Sequence, residues 1–99
     1  QELTAYLSYK KLNEELSYWR SSSGYEVDAI IGKARVAIEI KSTDEVNSRH
    51  IKGLNALRED FPDVLPIIVS FDKNKRVMNG IEIFPVYLFL KNLWEGKIL

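Results

Sequence analysis

The sequence predicts a single α/β domain of 99 residues, with a mixed central sheet flanked by helices. Three observations predict it. Short alternating apolar runs are separated by Ser21-Ser22-Ser23-Gly24 and by Gly32-Lys33, which read as tight turns between antiparallel strands. A helical stretch is then followed by Leu65-Pro66-Ile67-Ile68-Val69-Ser70-Phe71, a continuous apolar, β-branched run. Such a run marks a strand buried on both faces and parallel to the strand before the helix. Lastly, Pro85 and Gly96 bracket a final apolar helix. The length suits one compact domain, and 45% hydrophobic residues are enough for a real core.

The elements are expected in the order helix, three strands, helix, strand, short strand, helix. Residues 2–16 are helix-like, with Leu3, Tyr6, Leu7 and Leu16 as a partial apolar stripe. Leu16 to Arg20 and Tyr25 to Ile31 form a hairpin, and Ala34 to Lys41 is the third strand. There Val36, Ile38 and Ile40 line one face, and Ala37, Glu39 and Lys41 the other. After a polar loop from Ser42 to Asn47, Asn47 or Ser48 caps a helix reaching about Phe61, where Pro62 stops it. Ile51, Leu54 and Leu57 face inward. Leu65 to Phe71 is the buried strand, Asp72 to Asn79 a charged loop, and Gly80 to Phe84 a short strand. Val86 to Trp94 is the last helix, with Phe84, Phe89 and Trp94 as core.

Composition narrows the function. Lys plus Arg and Asp plus Glu number 14 each, so no global charge draws the chain to nucleic acid or membrane. Contact with nucleic acid must then rest on a local patch. The absence of cysteine excludes disulfides, thiolate zinc sites and thiol nucleophiles, and it fits a reducing compartment. No apolar run approaches the roughly 20 residues of a membrane helix, and no signal peptide is visible.

The residues that carry chemistry cluster at the end of the third strand. Glu39 and Lys41 share one strand face. If the runs holding Asp28 and Glu39 pair as neighbours, Asp28 joins them. Two carboxylates and an ammonium at the edge of an apolar sheet are costly to place unless something binds there. A divalent metal and a phosphodiester meet that requirement. A hard cation held by carboxylates offsets the charge repulsion that makes phosphodiester hydrolysis slow. Mg²⁺ keeps several waters, so two carboxylates and a carbonyl suffice. Asp28, Glu39 and the carbonyl of Ile40 are the candidate ligands for Mg²⁺ or Mn²⁺. Lys41 is the candidate to hold or activate the attacking water and to stabilise negative charge. The E-x-K spacing alone serves a solvated strand face equally well. Its place favours a site, since open α/β sheets put ligands at strand C-terminal ends beside a crossover.

The D…E-x-K arrangement within this order of elements resembles the PD-(D/E)XK nuclease superfamily. That resemblance implies a restriction-endonuclease-like core of order αβββαβ, plus a C-terminal helix. Val27 stands where the superfamily name has proline. Tyr18-Trp19-Arg20, Gly24-x-Glu26-Val27-Asp28, Ala37-Ile38-Glu39-Ile40-Lys41-Ser42 and Leu93-Trp94-Glu95-Gly96-Lys97-Ile98-Leu99 look like the C-terminal DUF4143 region of bacterial and archaeal AAA ATPases. The resemblance covers nearly the whole chain. It implies that an ATPase module and a winged helix precede this region in a cytoplasmic protein. No G-x-x-x-x-G-K-[ST] loop occurs here and the chain begins at Gln1 without Met, so a fragment is expected.

The resemblance also implies roles. Asp28 and Glu39 match the superfamily's metal-binding acids, and Lys41 its catalytic lysine. Glu2 matches a first-helix glutamate that joins the metal site in Holliday junction resolvases. Resolvase-like relatives pair, which implies a possible homodimer. From period two, Glu26 is expected on the same face as Asp28, as an extra ligand or a structural acid.

Arg49, His50 and Lys52 start the middle helix. They read as a solvated helix end or as a patch that touches DNA phosphates. Three cations there oppose the helix dipole, which favours a bound anion. Lys73, Lys75 and Arg76 form a basic loop. Tyr18 and Trp19 serve packing or base stacking. Two functions follow from different classes. One is metal-dependent hydrolysis of DNA by a nuclease-like domain of an AAA ATPase. The alternative is a non-catalytic DNA- or protein-binding module that keeps the nuclease fold.

Overall fold

A computed structural model describes residues 16–98. The helix expected over residues 2–16, and Glu2 with it, lies outside the described residues except for Leu16. Leu16 itself opens a strand.

Strand β1 (Leu16–Arg20) pairs antiparallel with β2 (Glu26–Ile31), and β2 pairs antiparallel with β3 (Val36–Ile40). Helix α1 (Lys52–Asp60) carries the chain over to β4 (Leu65–Ser70), which lies parallel to β3 as the apolar run predicts. Strand β5 (Arg76–Met78) and β6 (Ile81–Pro85) form a hairpin, with β6 parallel to β4. Helix α2 (Val86–Trp94) closes the described chain. Among the described residues the result is a mixed six-stranded sheet in the order β1-β2-β3-β4-β6-β5, with two helices.

Alternation divides the core between the two faces of the sheet. Val36, Ile38, Ile67 and Val69 pack with Phe89 and Leu93 of α2. Ala37, Ile68, Ile81 and Ile83 pack with Leu54 and Leu57 of α1. Phe84 and Phe89 meet edge to face at 6.2 Å between ring centroids.

Four expectations are corrected. Arg76 to Met78 form an edge strand inside the expected charged loop. Its turn, Asn79-Gly80, has φ of 51° and 78°, the left-handed pair that a two-residue hairpin requires. Helix α1 starts at Lys52, not at residue 48. Its N-cap position is Ile51, with no side-chain cap, because Asn47 is used in the preceding turn. The β2–β3 turn takes residues 32–35, with Gly32 and Ala34 at positive φ, so β3 begins at Val36. Trp94 is 37% exposed, whereas Phe84 and Phe89 are core. Among the described residues, no helix is long and apolar enough to cross a membrane.

Candidate active site

The site is built from the end of β3 outward, and it begins with an irregularity in β2. Along the β1–β2 ladder Ser17 faces Ile30 and Trp19 faces Val27, so two steps on β1 match three on β2. One extra residue is thus accommodated in β2 between Val27 and Ile30, the count that defines a β-bulge. The core shows the resulting change of phase. Val27 and Ile30 both belong to the α1 side, although three residues apart, while Ala29 belongs to the α2 side. The regular β2–β3 register ends at Ala29 opposite Ile38. Beyond it the Ile40 backbone N–H donates to Asp28 Oδ2 at 2.8 Å. A side-chain carboxylate replaces a main-chain acceptor there, and so is tied to the end of β3.

Glu26, expected as an extra ligand or a structural acid, lines the cleft, and its carboxylate pairs with Arg20 at 3.6 Å. Its backbone still borders the site.

Glu39 lies beside Asp28 and is buried, at 5% exposure. Its Oε1 is 3.8 Å from the Lys41 ammonium, while its Oε2 is buried with no hydrogen-bond partner among the described residues. Burial pushes the Glu39 carboxyl up to about 7; Lys41 opposes the rise and the charge on Asp28 adds to it. Gly53, in the first turn of α1, packs against this carboxylate. A Cβ there would stand 2.6 Å from the Glu26 carbonyl oxygen and 3.1 Å from Glu39 Oε1. Only glycine lets the helix come this close.

The connector from β3 to α1 is held from below. Lys41 N–H donates to the Val69 carbonyl and Phe71 N–H to that of Thr43, prolonging the β3–β4 ladder past Lys41. Val46 N–H then donates to the carboxylate of the buried Asp72. The Ser70 hydroxyl and the Arg76 guanidinium also donate to Asp72, and Arg76 reaches the Val46 carbonyl. Burial works against the Asp72 charge. Hydrogen bonds from Ser70, Arg76 and Val46 outweigh it and hold the carboxyl below the usual carboxylate range.

Next along the chain, Arg49 N–H donates to Asn47 Oδ1, and Asn47 N–H donates to His50 Nδ1 at 2.9 Å. A ring nitrogen that accepts leaves the proton of a neutral imidazole on Nε2.

These elements surround one open cleft of about 310 Å³. Asp28, Glu39, Ile40 and Lys41 line it together with Arg49, His50, Lys52 and Gly53, and so do Gly24, Tyr25 and Glu26. The structure thus brings seven sequence-predicted residues to one place: Asp28, Glu39, Ile40, Lys41, Arg49, His50 and Lys52. Glu2 lies outside the described residues. Sequence reasoning missed Gly53, whose only signal is a glycine inside a helical pattern. It also missed Tyr25 and Asp72, which look like an ordinary strand start and loop acid.

The donor set is chemically suited to a hard divalent cation. It offers carboxylate oxygens, one of them a buried atom without a partner. A residue's N–H and C=O point to the same side of a strand, so the Ile40 carbonyl joins Asp28 on the β2 side. Among the described residues, no group of three or more His, Cys, Asp or Glu side chains is assembled to hold a metal.

A family profile described as "Domain of unknown function (DUF4143)" matches residues 1–89. No curated protein and no solved structure matches the chain.

Proposed function

The chain belongs to the DUF4143 family, and we propose that it is a metal-dependent nuclease-like domain that hydrolyses phosphodiester bonds in DNA. We further propose a restriction-endonuclease-like fold, and that the domain serves a longer cytoplasmic AAA ATPase. The observation that carries this reading is Glu39 Oε2, which is buried without a partner among the described residues in a cleft that Asp28 and Lys41 also line. A protein does not leave a carboxylate oxygen in that state without a use, because an unmet buried acceptor costs about 1–3 kcal/mol or more.

In this reading Asp28, Glu39 and the Ile40 carbonyl hold Mg²⁺ or Mn²⁺. Once bound, the ion supplies charge neutralisation at the phosphate. Arg49, His50 and Lys52 grip the phosphates on either side of the cut. Lys41 orients the attacking water and stabilises the negative charge that develops on the phosphoryl oxygens. The water oxygen bonds to phosphorus and gives up one proton to solvent, the ester P–O bond breaks, and the leaving oxygen takes up a proton from solvent. Asp28, tied to Ile40, keeps the end of β3 in place throughout.

The test is cleavage of branched, single-stranded and duplex DNA by the full-length protein with ATP and Mg²⁺ or Mn²⁺. Lys41→Ala is expected to abolish cleavage while leaving the fold intact. Wild-type protein that cuts none of these substrates overturns the reading.

Two observations favour a second reading, a binding module without catalysis. One oxygen of Asp28 is already engaged by Ile40 N–H. Lys41 is already paired with Glu39, at 3.8 Å. Titration with Mn²⁺ separates the two readings, since the module has no need of the metal.

A further inference from the structure

Among the described residues, Tyr25 is the one tyrosine, phenylalanine or tryptophan lining the cleft, and neither reading above uses it. It is 42% exposed, although tyrosine rings at the start of a strand commonly fold down onto a core. Its position is set by the backbone. Tyr25 N–H donates to the Ser21 hydroxyl at 3.0 Å, and Ser21 N–H donates to the Tyr25 carbonyl at 2.8 Å. Gly24, at φ 93°, closes this turn in a conformation that favours glycine. Tyr25 lines the same cleft as Arg49, His50 and Lys52, the two carboxylates and Lys41.

We propose that Tyr25 is a stacking platform for an unpaired base next to the reacting phosphate. The substrate class is then nucleic acid that is single-stranded, or frayed at a branch, where the chain meets the cleft. This deepens the nuclease reading and rests on it. The chemistry follows from the lining. The cations take the backbone and the aromatic ring takes a base, the combination used by single-strand-binding surfaces. A paired base has both faces covered by its neighbours and offers none to Tyr25. A base beside the phosphate must therefore be out of the stack. The hydroxyl of Tyr25 is not needed for stacking, so phenylalanine should serve equally.

Tyr18 provides an internal control. It is the other strongly exposed aromatic of this hairpin, at 64%, but it lines a separate groove with Trp19 and Phe61, outside the cleft.

The experiment measures fluorescence anisotropy of a labelled short oligonucleotide, single-stranded or as duplex. The full chain is used, with Ca²⁺ as the divalent ion. The series is wild type, Tyr25→Ala, Tyr25→Phe and Tyr18→Ala. Tyr25→Ala should weaken single-strand binding by about tenfold or more, as expected for loss of one base stack. Duplex binding should not change, and Tyr25→Phe and Tyr18→Ala should match wild type. Equal losses on both substrates, or no loss on the single strand, overturn the proposal. Mn²⁺ titration of the same four proteins reports separately on the carboxylates. If wild type binds Mn²⁺ but no single strand, the stacking proposal falls and the metal reading stands.

Discussion

Asp28 accepts a hydrogen bond from the backbone of Ile40 across the gap where the β2–β3 ladder stops. The carboxylate does what a main-chain carbonyl would do in a regular strand. It thereby fixes its own position against the next residue after Glu39. An acid on one strand and an acid on the next are brought to a common edge by a bond that either strand alone could not make.

Metal binding is expected to depend on the two carboxylates unequally. Glu39→Gln removes the charge whose oxygen has no other use and should abolish Mn²⁺ binding. Asp28→Asn keeps an acceptor for Ile40 N–H, so the fold should persist while affinity drops by about tenfold or more. Lys41→Ala should leave Mn²⁺ affinity unchanged or improved, because it removes a competing cation. Isothermal titration calorimetry of the three variants checks this ranking.

Stability should fall as pH rises, at the expense of Glu39. Its folded-state carboxyl titrates at about 7, above the ordinary value of 4.5. The stabilisation is therefore complete below pH 4.5 and is lost as pH rises through 7. Glu39→Gln cannot ionise and escapes the loss. In metal-free buffer it should gain about 2–3 kcal/mol on wild type between pH 5 and pH 8. Thermal melts at the two pH values measure the gap. Added Mn²⁺ should narrow it for wild type alone, since only that protein offers the charged site.

Gly53→Ala sets two effects against each other. Alanine improves helix propensity by up to about 1 kcal/mol. Its Cβ, however, would fall 2.6 Å from a backbone oxygen, too close to be absorbed without moving α1. Overpacking of this kind costs about 1–3 kcal/mol, so the net result is destabilisation. Because the same helix carries Lys52 and abuts Glu39, Mn²⁺ affinity should fall as well. Chemical denaturation and metal titration of the one variant test both statements.

Asp72→Ala removes the acceptor shared by Ser70, Val46 and Arg76 in a buried cluster. The expected cost is about 2–4 kcal/mol at pH 7, part of it from the guanidinium left behind. The pH dependence should run opposite to that of Glu39. The Asp72 carboxyl titrates below its ordinary value of 3.8, so its stabilisation is present above that pH and disappears as pH falls further. Urea unfolding of Asp72→Ala and wild type at pH 7 and at pH 3 should show the difference shrinking in acid.

The parts of this arrangement that were legible in the sequence are those governed by local pattern. Glu39 and Lys41 on one face follow from period two, and the parallel β3–β4 step follows from the apolar run after a helix. Asp28 was legible as a neighbour because turn residues stand between the two runs. Its mode of attachment was not, since a bulge is a mismatch between two strands and neither strand's pattern reveals it. Strand β5 was hidden by the charges of Lys73, Lys75 and Arg76, although Asn79-Gly80 is a strong hairpin signal. Arg76 looked like a solvated loop cation because its partner, Asp72, is buried only through contacts with a distant connector. Gly53 looked like a weak spot in a helix. The carboxylate beneath it, which makes glycine necessary, lies fourteen positions earlier in the chain.

The extra residue in β2 also makes the hairpin sensitive to chain length rather than to side-chain identity. Deleting one residue between Val27 and Ile30, either Asp28 itself or the buried Ala29, would let the β1–β2 ladder run without a step. The acid would then be lost or carried out of phase with Glu39. A single-codon deletion in this hairpin would retire the cleft in one step.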